Sequence, residues 1–570
     1  MASAVPASPW RQYVPKAWTL LRHGYGLGDL RHDLVAGLTV AVVALPLAMA
    51  LAIASGAAPE KGLHTAIIAG FLISALGGSR VQIGGPTAAF IPVVFVVIER
   101  FGYGGLILCT LLAGLMLIAA GLLRLGALMR YMPQPVVTGF TAGIAVSIFS
   151  SQVKDLFGLR MAHVPGEFLA RWQAYAAHAG SFEIASVAMS VGAVALIVGL
   201  RKWRPLWPGF LLTVVLAAVV AWALSLALPT IGSTFGAIPA ALPSFAIPHI
   251  PFERTAEMLP SALTIAFLGG VESLLSAVVA DGMTGGRHRS NGELVAQGVA
   301  NCASALFGGL PATGAIARTA TNIRAGARSP VAGMLHALFL LGFVLWASGL
   351  ASYVPLPALA GVLAVVAWNM SEHGHFRHTL SAAPRGDKAV LLVTFALTVF
   401  VDLTVAIQAG MVLAAFSFMH RMAQMVEVGS GVRLIGDEEG LREEDQRASL
   451  PRDVEVYRIS GPLFFGAANR LDNLMDQLYG KPRCFILRMR QVPLIDASGV
   501  HSLQGLIDRC RRKGIVLIVS GLQAQPLQVI RRMGIADRPG ELHFVEDFPA
   551  ACALAREIAG GPLLDEIAGI

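Results

Sequence analysis

The first 420 or so residues are built from apolar runs close to the length of a bilayer-spanning helix, and few folds accommodate that pattern. A spanning helix needs roughly 20 apolar residues. On that basis the runs fall at 34–55, 63–78, 83–98, 103–123, 132–150, 183–201, 207–228, 259–280, 292–308, 313–326, 329–349, 355–370, 388–402 and 404–420. That makes about fourteen segments, several of them short, with the last two nearly continuous around Asp402. Lipid offers no partner to backbone N–H and C=O groups, so such a chain spans as α-helices. Charge supports the division: only 14% of the chain is charged, against about 25% for a soluble domain. The deficit lies before about residue 420, and beyond it charge returns.

Two of these runs are interrupted in the same way. The third contains Gly84-Gly85-Pro86-Thr87-Ala88-Ala89-Phe90, and the tenth follows Gly308-Gly309-Leu310-Pro311-Ala312-Thr313-Gly314 into Ala315-Ile316-Ala317-Arg318. Broken backbone survives in a membrane only where protein or a water-filled cavity satisfies the freed groups. A matched pair of Gly/Pro-interrupted spans marks a midplane binding site. Their offset of seven predicts two seven-span halves, inverted relative to each other, with the breaks facing. Each restarting helix would present unpaired N–H groups and the positive end of its dipole, a setting for an anion. Arg318 adds a full charge in a planar fork suited to a carboxylate or other oxyanion. The bland alternatives are a kink at each break and an Arg318 that snorkels to the surface.

Glu272 falls near the middle of the eighth run, in Gly269-Gly270-Val271-Glu272-Ser273. An intramembrane carboxylate is a functional candidate by default. It is read as a proton carrier, a cation ligand, a counter-charge to Arg318, or a structural hydrogen-bonding Glu. Asp281, nine residues on, reads as a cap, and His336 as a packed or interfacial histidine.

Basic residues punctuate alternate short loops: Arg80; Arg124 and Arg130; Arg201, Lys202 and Arg204; Arg287 and Arg289; Arg324 and Arg328; Arg377, Arg385 and Lys388. With a basic amino terminus lacking a cleavable signal pattern, this predicts both termini in the cytoplasm. The net charge of +8 then reflects membrane topology rather than nucleic-acid binding. Five cysteines without metal spacing argue against a disulfide framework or a metal centre. The predicted organisation is a 1–33 cytoplasmic segment, a 34–420 membrane domain, a charged linker at 421–452, a 453–560 soluble domain and a 561–570 tail. The soluble part alternates strands at 454–459, 484–489, 515–520 and 542–545 with helices near 467–478, 498–513, 526–533 and 550–558, an α/β pattern. Asp496 or Ser498 reads as a helix N-cap, with a phosphorylated Ser498 as the alternative.

Gly77-Gly78-Ser79-Arg80 with Gly85-Pro86-Thr87-Ala88 resembles the signature region of the SulP family, the sulfate permease or solute carrier family 26 anion transporters. Glu293-Leu294-Val295-Ala296-Gln297-Gly298-Val299-Ala300-Asn301, the second break, and Arg324-Ala325-Gly326-Ala327-Arg328 leading into Ser329-Pro330 fit the same family. The segment Leu494-Ile495-Asp496-Ala497-Ser498-Gly499 resembles its STAS domain. The resemblance implies a polytopic α-helical protein of about fourteen transmembrane helices in a seven-plus-seven inverted repeat, with core and gate domains and a cytoplasmic α/β STAS domain. It also implies an elevator-like movement and a homodimer. Thr87, Ala88, Ala89, Ala315, Ile316, Ala317 and Arg318 would fall at the substrate site, several through backbone N–H groups, and Glu272 would be the coupling carboxylate. Ser498 matches a serine phosphorylated in anti-sigma-factor antagonists, although Ala497 departs from the usual Ser.

Many sulfate- and chloride-handling members carry Pro-Gln in the first span, where this chain has Leu45-Pro46-Leu47-Ala48-Met49-Ala50-Leu51. That substitution, with Asp281-Gly282-Met283-Thr284-Gly285 and Trp368-Asn369-Met370-Ser371-Glu372, is similar to DauA-type C4-dicarboxylate transporters. Leu47 and Leu51 thus join the substrate-site candidates. The expectation is a proton-coupled secondary transporter of succinate, fumarate or aspartate in the cytoplasmic (inner) membrane. It would use no cofactor beyond the coupling ion, and the STAS domain would be a potential docking point for a cytoplasmic protein. Sodium-coupled bicarbonate or sulfate transport, an uncoupled anion channel and a STAS-based signalling protein are the alternatives. No nucleotide loop or nucleophile–base pair suggests an enzyme.

Overall fold

The structure is a computed structural model that describes residues 12–126, 132–161, 164–204, 207–240, 245, 254–430, 450–451, 453–465 and 482–560. The helix expected near 467–478, most of the 421–452 linker, Arg130 and the 561–570 tail lie outside the described residues. Two compact units emerge, Met1–Ala414 and Ala415–Ile570.

The first unit is helical. A short α1 (Lys16–His23) precedes α2 (Leu27–Ala54), α3 (Pro59–Leu76) and, after the first break, a 3-10 turn (Ala88–Phe90) running into α4 (Ile91–Leu122). There follow α5 (Gln134–Phe157), α6 (Phe168–Ala177), α7 (Ile184–Trp203), α8 (Gly209–Ala223) and α9 (Ile231–Phe235). The second half holds α10 (Thr255–Thr284), α11 (Ser290–Leu306), α12 (Ile316–Arg324), α13 (Val331–Ala351), α14 (Leu356–Met370), α15 (His373–Ala382), α16 (Arg385–Phe400) and α17 (Leu403–Gln424), which runs on into the second unit. Among the described residues, seven helices are long and apolar enough to cross a membrane.

Local chemistry sets the boundaries. Pro59 and Pro135 sit in the first turns of α3 and α5, where a missing N–H costs nothing. Gly158 and Gly285 close α5 and α10 in the left-handed conformation. The expected third and fourth runs are two helices within α4 that meet at Gly102, whose φ of 68° and ψ of −177° only glycine adopts readily. The tenth run becomes helical only from Ile316, because the residues before it are extended. Helices α6 and α15 were not read from the sequence; their polar residues and lengths of ten residues fall below any spanning pattern.

Two packing sets are evident. The closest pairings join α4 with α10 and α11, and α13 with α2 and α3; a second set joins α5 with α14 and α16, and α14 with α7. The first set draws on the helices next to the breaks, and the second on the helices away from them. Close approach depends on small residues: a Cβ on Gly62 would lie 2.0 Å from the Ala48 carbonyl oxygen, so α2 and α3 touch backbone to backbone.

The second unit holds a five-stranded sheet in sequence order: β3 (Glu427–Ser430), β4 (Val454–Ser460), β5 (Cys484–Gln491), β6 (Val516–Ser520) and β7 (Leu542–Val545). Strands β4 to β7 are parallel, and β3 adds antiparallel to β4 at the edge. The reading that assigned 427–430 to the linker is corrected: the ladder with β4 holds this segment despite its lack of an apolar period. Among the described residues the unit also holds helices α18 (Ala497–Lys513), α19 (Ala524–Arg532) and α20 (Phe548–Ala559). Six consecutive buried residues in β5 mark a strand covered on both faces. Phe485, Leu487 and Leu503 fill one layer; Ile486, Ile518 and Phe548 fill the other. Burial pushes the Cys484 thiol up to about 12 and Cys510 up to about 11, so both stay protonated and unreactive at neutral pH.

Candidate functional site

The two breaks meet. Gly84–Gly85 (β1) and Thr313–Gly314 (β2) pair as a two-residue antiparallel ladder, Gly84 opposite Gly314 and Gly85 opposite Thr313. The Ala315 N–H extends it to the Ile83 carbonyl at 2.8 Å. Antiparallel contact is what two inverted segments make when they face each other. Glycine is required here by space: a Cβ on Gly84 would lie 2.3 Å from Ile73, and one on Gly314 would lie 1.6 Å from Gln82.

Side chains satisfy the rest of the freed backbone. Asn301 on α11 accepts from the Ala312 N–H and donates to the Ala312 carbonyl, both at 2.8 Å. The Leu310 N–H donates to Thr65 Oγ1 at 2.6 Å, and Ser304 donates to the Leu310 carbonyl at 2.7 Å. The Ile83 N–H donates to Thr319 Oγ1, Ser276 donates to that same oxygen, and Gln82 donates to the Ser273 carbonyl. Ser273 also accepts from the Gly314 N–H at 3.1 Å. Most of these residues are fully buried, and together they answer the requirement that irregular backbone at membrane depth be paired by protein. Sequence reading passed over them, since small polar residues are common in membrane helices. Asn301, Gln82 and Glu293 were the readable signal, being long polar side chains in otherwise apolar text.

On this scaffold the half-helices begin. Phe90 N–H to Thr87 O and Thr319 N–H to Ala315 O are the first turn-closing bonds of each. The N–H groups of Ala88, Ala89, Ile316, Ala317 and Arg318 precede them and lie in the unsatisfied first turns. Ala88 and Ala89 are buried, whereas Ile316 and Ala317 are exposed. Ala315 departs from the expectation of a free donor, because its N–H is used in the ladder.

Arg318 is 3% exposed and packs against the first break. One terminal nitrogen donates to the Pro86 carbonyl at 2.8 Å. Its Nε and other terminal nitrogen are buried without a hydrogen-bond partner. The guanidinium therefore does not snorkel; it bridges from the second break to the first. Glu272 on α10 is partly buried and accepts from the Thr87 hydroxyl at 3.1 Å. Arg318 and Glu272 form no ion pair with each other. They engage the same break at adjacent residues, Pro86 and Thr87, and each retains unused capacity.

The remaining candidates are placed as follows. Leu47 is partly buried on α2, and Leu51 is 1% exposed within the apolar core, so Leu51 offers packing rather than contact surface. His336 is fully buried with both ring nitrogens unpartnered, and Asp281 accepts from the His288 N–H and ring. Asp496 is the N-cap of α18, accepting from Gly499 at 2.8 Å; Ser498 lies partly buried in the first turn. Among the described residues no cluster of His, Cys, Asp or Glu has the spacing to hold a metal.

The pattern for the sulfate permease family matches residues 30–394, and that for the STAS domain matches 448–547. This chain belongs to the sulfate permease family. Among the permease relatives, the putative sulfate transporter YvdB of Bacillus subtilis (strain 168) is 41% identical over 528 residues, covering 92% of this chain and 97% of that protein. The bicarbonate transporter BicA of a Picosynechococcus species is 28% identical over 549 residues, covering 93% and 94%. A solved transmembrane domain of a cyanobacterial BicA aligns at 32% identity with TM-score 0.61, over 67% of this chain and 98% of that one. Murine Solute Carrier 26 family member A9, an anion transporter, aligns with TM-score 0.86 over 98% and 96% at 17% identity, a likeness of fold. The chain is thus a multi-pass membrane anion transporter of this permease family, with a C-terminal STAS domain.

Proposed function

We propose that this permease is a secondary active carrier of small carboxylate anions, moving C4-dicarboxylates such as succinate, fumarate and aspartate together with protons. The observation that carries the reading is Arg318, buried between the breaks with two guanidinium nitrogens unpaired. A buried charge without a partner is costly, and an anion supplies the partner. The unsatisfied N–H groups at Ala88, Ala89, Ile316 and Ala317 would hold its second oxygen. Thr87 would contribute through its hydroxyl, and Leu47 would present an apolar surface, where the resemblance implies an amide for many sulfate- and chloride-handling members. Glu272, within reach of Thr87, would take up the proton that accompanies the dianion. The unit α2–α4 with α10–α13 would move against the second helical set in an elevator-like step, as a homodimer in the cytoplasmic membrane with both termini inside. Ser498 and the STAS surface would serve regulation or a cytoplasmic protein partner.

The test is uptake of labelled succinate and fumarate into proteoliposomes under an imposed pH gradient. Accumulation driven by the proton gradient supports the reading. Sulfate or bicarbonate flux without dicarboxylate uptake overturns it. Sodium-coupled bicarbonate transport is the second reading, favoured by similarity to the bicarbonate transporter BicA over 93% of this chain; sodium dependence separates the two. Gradient-driven accumulation also separates a carrier from a channel, and transport by purified protein separates it from a signalling protein.

A further inference from the structure

A second basic site lies away from the breaks. Lys16 of α1, Arg80 in the loop after α3 and Arg328 in the loop after α12 line one cavity of about 640 Å3, with Asp29, Thr284 and Gly286 on its wall. The basic loops place it at the cytoplasmic end of the unit. Helix α1 is fastened there by its own contacts: the Lys16 N–H donates to the Gly77 carbonyl at 3.0 Å, and Arg289 donates to the Val14 carbonyl and the Thr19 hydroxyl.

The charge balance around the cavity is uneven. Every nearby carboxylate is already engaged. Asp29 pairs with Arg328 at 2.9 Å. Asp33 accepts from Tyr25, from Ser329 and from the Arg328 backbone. Asp281 is held by His288, and Glu293 accepts from the Gly78 and Ser79 N–H groups and from Gln297. Among the described residues Lys16 and Arg80 have no ion pair and no side-chain hydrogen bond. Burial first, then the Arg289 and Arg80 guanidiniums, holds the Lys16 ammonium below its usual range, with Asp281 opposing only weakly. Converging cations on one cavity, with all surrounding acids occupied, call for an anion of more than one charge.

We propose that this cavity binds a phosphate monoester group, which bridges Lys16 of α1 to Arg80 and Arg328 of the transport unit. A tetrahedral dianion suits a point-charge ammonium on one side and a planar fork on the other. The cavity has room for more than inorganic phosphate, so the group is carried by a soluble ester or by a lipid headgroup at the membrane surface. Bound there, it ties α1 to the ends of α3 and α12, the two elements that flank the breaks.

The experiment measures thermal unfolding of the full chain in phosphatidylcholine nanodiscs with added inorganic phosphate or glycerol phosphate, and in nanodiscs containing phosphatidic acid. Binding raises the melting temperature in proportion to occupancy. Lys16→Gln and Arg80→Gln are each expected to weaken the apparent affinity roughly ten-fold, losing one charge-assisted bond. Lys16→Arg retains most of it, and Arg324→Gln, an equal charge loss outside the cavity, leaves it unchanged. Stabilisation by soluble phosphate assigns a soluble ester; stabilisation by phosphatidic acid alone assigns the headgroup. No stabilisation in either arm, equal loss in Arg324→Gln, or succinate matching phosphate in potency overturns the proposal. The last result would make the cavity a vestibule for the transported anion.

Discussion

The two breaks meet in one ladder but are built on opposite plans. The first, from Gly84 to Phe90, contributes backbone: its side chains are small or apolar, and Thr87 carries its one hydroxyl. The second contributes charge through Arg318 and is itself braced by side chains, Thr65, Asn301, Ser304 and Ser273. The first break in turn receives Arg318 at the Pro86 carbonyl. Neither break is complete alone. Backbone pairing fixes where the segments meet, while side chains decide what each one does there.

The largest expected effect removes the charge. Arg318→Ala should lower initial uptake in proteoliposomes by at least about a hundred-fold at equal protein content, since on the proposed reading it deletes the charged partner of the anion. Gly85→Ala attacks the same point from the first break. The added Cβ would lie 2.6 Å from the Arg318 terminal nitrogen, at a φ of +150°. Uptake should fall roughly ten- to a hundred-fold while the protein remains folded, as for a group displaced by about an ångström. An unchanged rate would mean that the first break is scaffold only.

Asn301→Leu strips the brace from the second break and leaves the Ala312 N–H and carbonyl unpaired. It should destabilise the protein by about 1–3 kcal/mol, read as a lower melting temperature. Glu272→Gln keeps a hydrogen-bond acceptor for Thr87 but holds no exchangeable charge. Uptake should persist within roughly ten-fold, while acceleration by an inward proton gradient disappears. A retained gradient response would move the proton elsewhere. Thr87→Val is the mildest, a few-fold loss of uptake at most, about the worth of one neutral hydrogen bond.

Much of this was legible from apolar run length and from the paired Gly/Pro text. Each of the runs has a helical counterpart, and β1 and β2 arise at the interruptions themselves. Besides the short helices α6 and α15 and the small polar braces of the breaks, three things were not legible, for different physical reasons. Strand β3 was hidden because an edge strand of four residues needs its neighbour more than its own pattern. The use of the Ala315 N–H was hidden because backbone donors carry no sequence signature. The burial of Leu51 could not be separated from that of Leu47, since facing within an all-apolar helix has no polar side to orient it.

The bonds of the ladder use main chain alone, yet its neighbours press close enough to demand glycine, and this has a bearing on where the region can change. The three glycines at 84, 85 and 314 are constrained by contact with Ile73, Arg318 and Gln82. Of the residues beside the ladder, Ala315 joins it through its N–H, whereas Ile316 and Ala317 are exposed. Substitutions at Ile316 and Ala317 can therefore change the surface beside the breaks without touching the main-chain clasp between the two pieces of backbone.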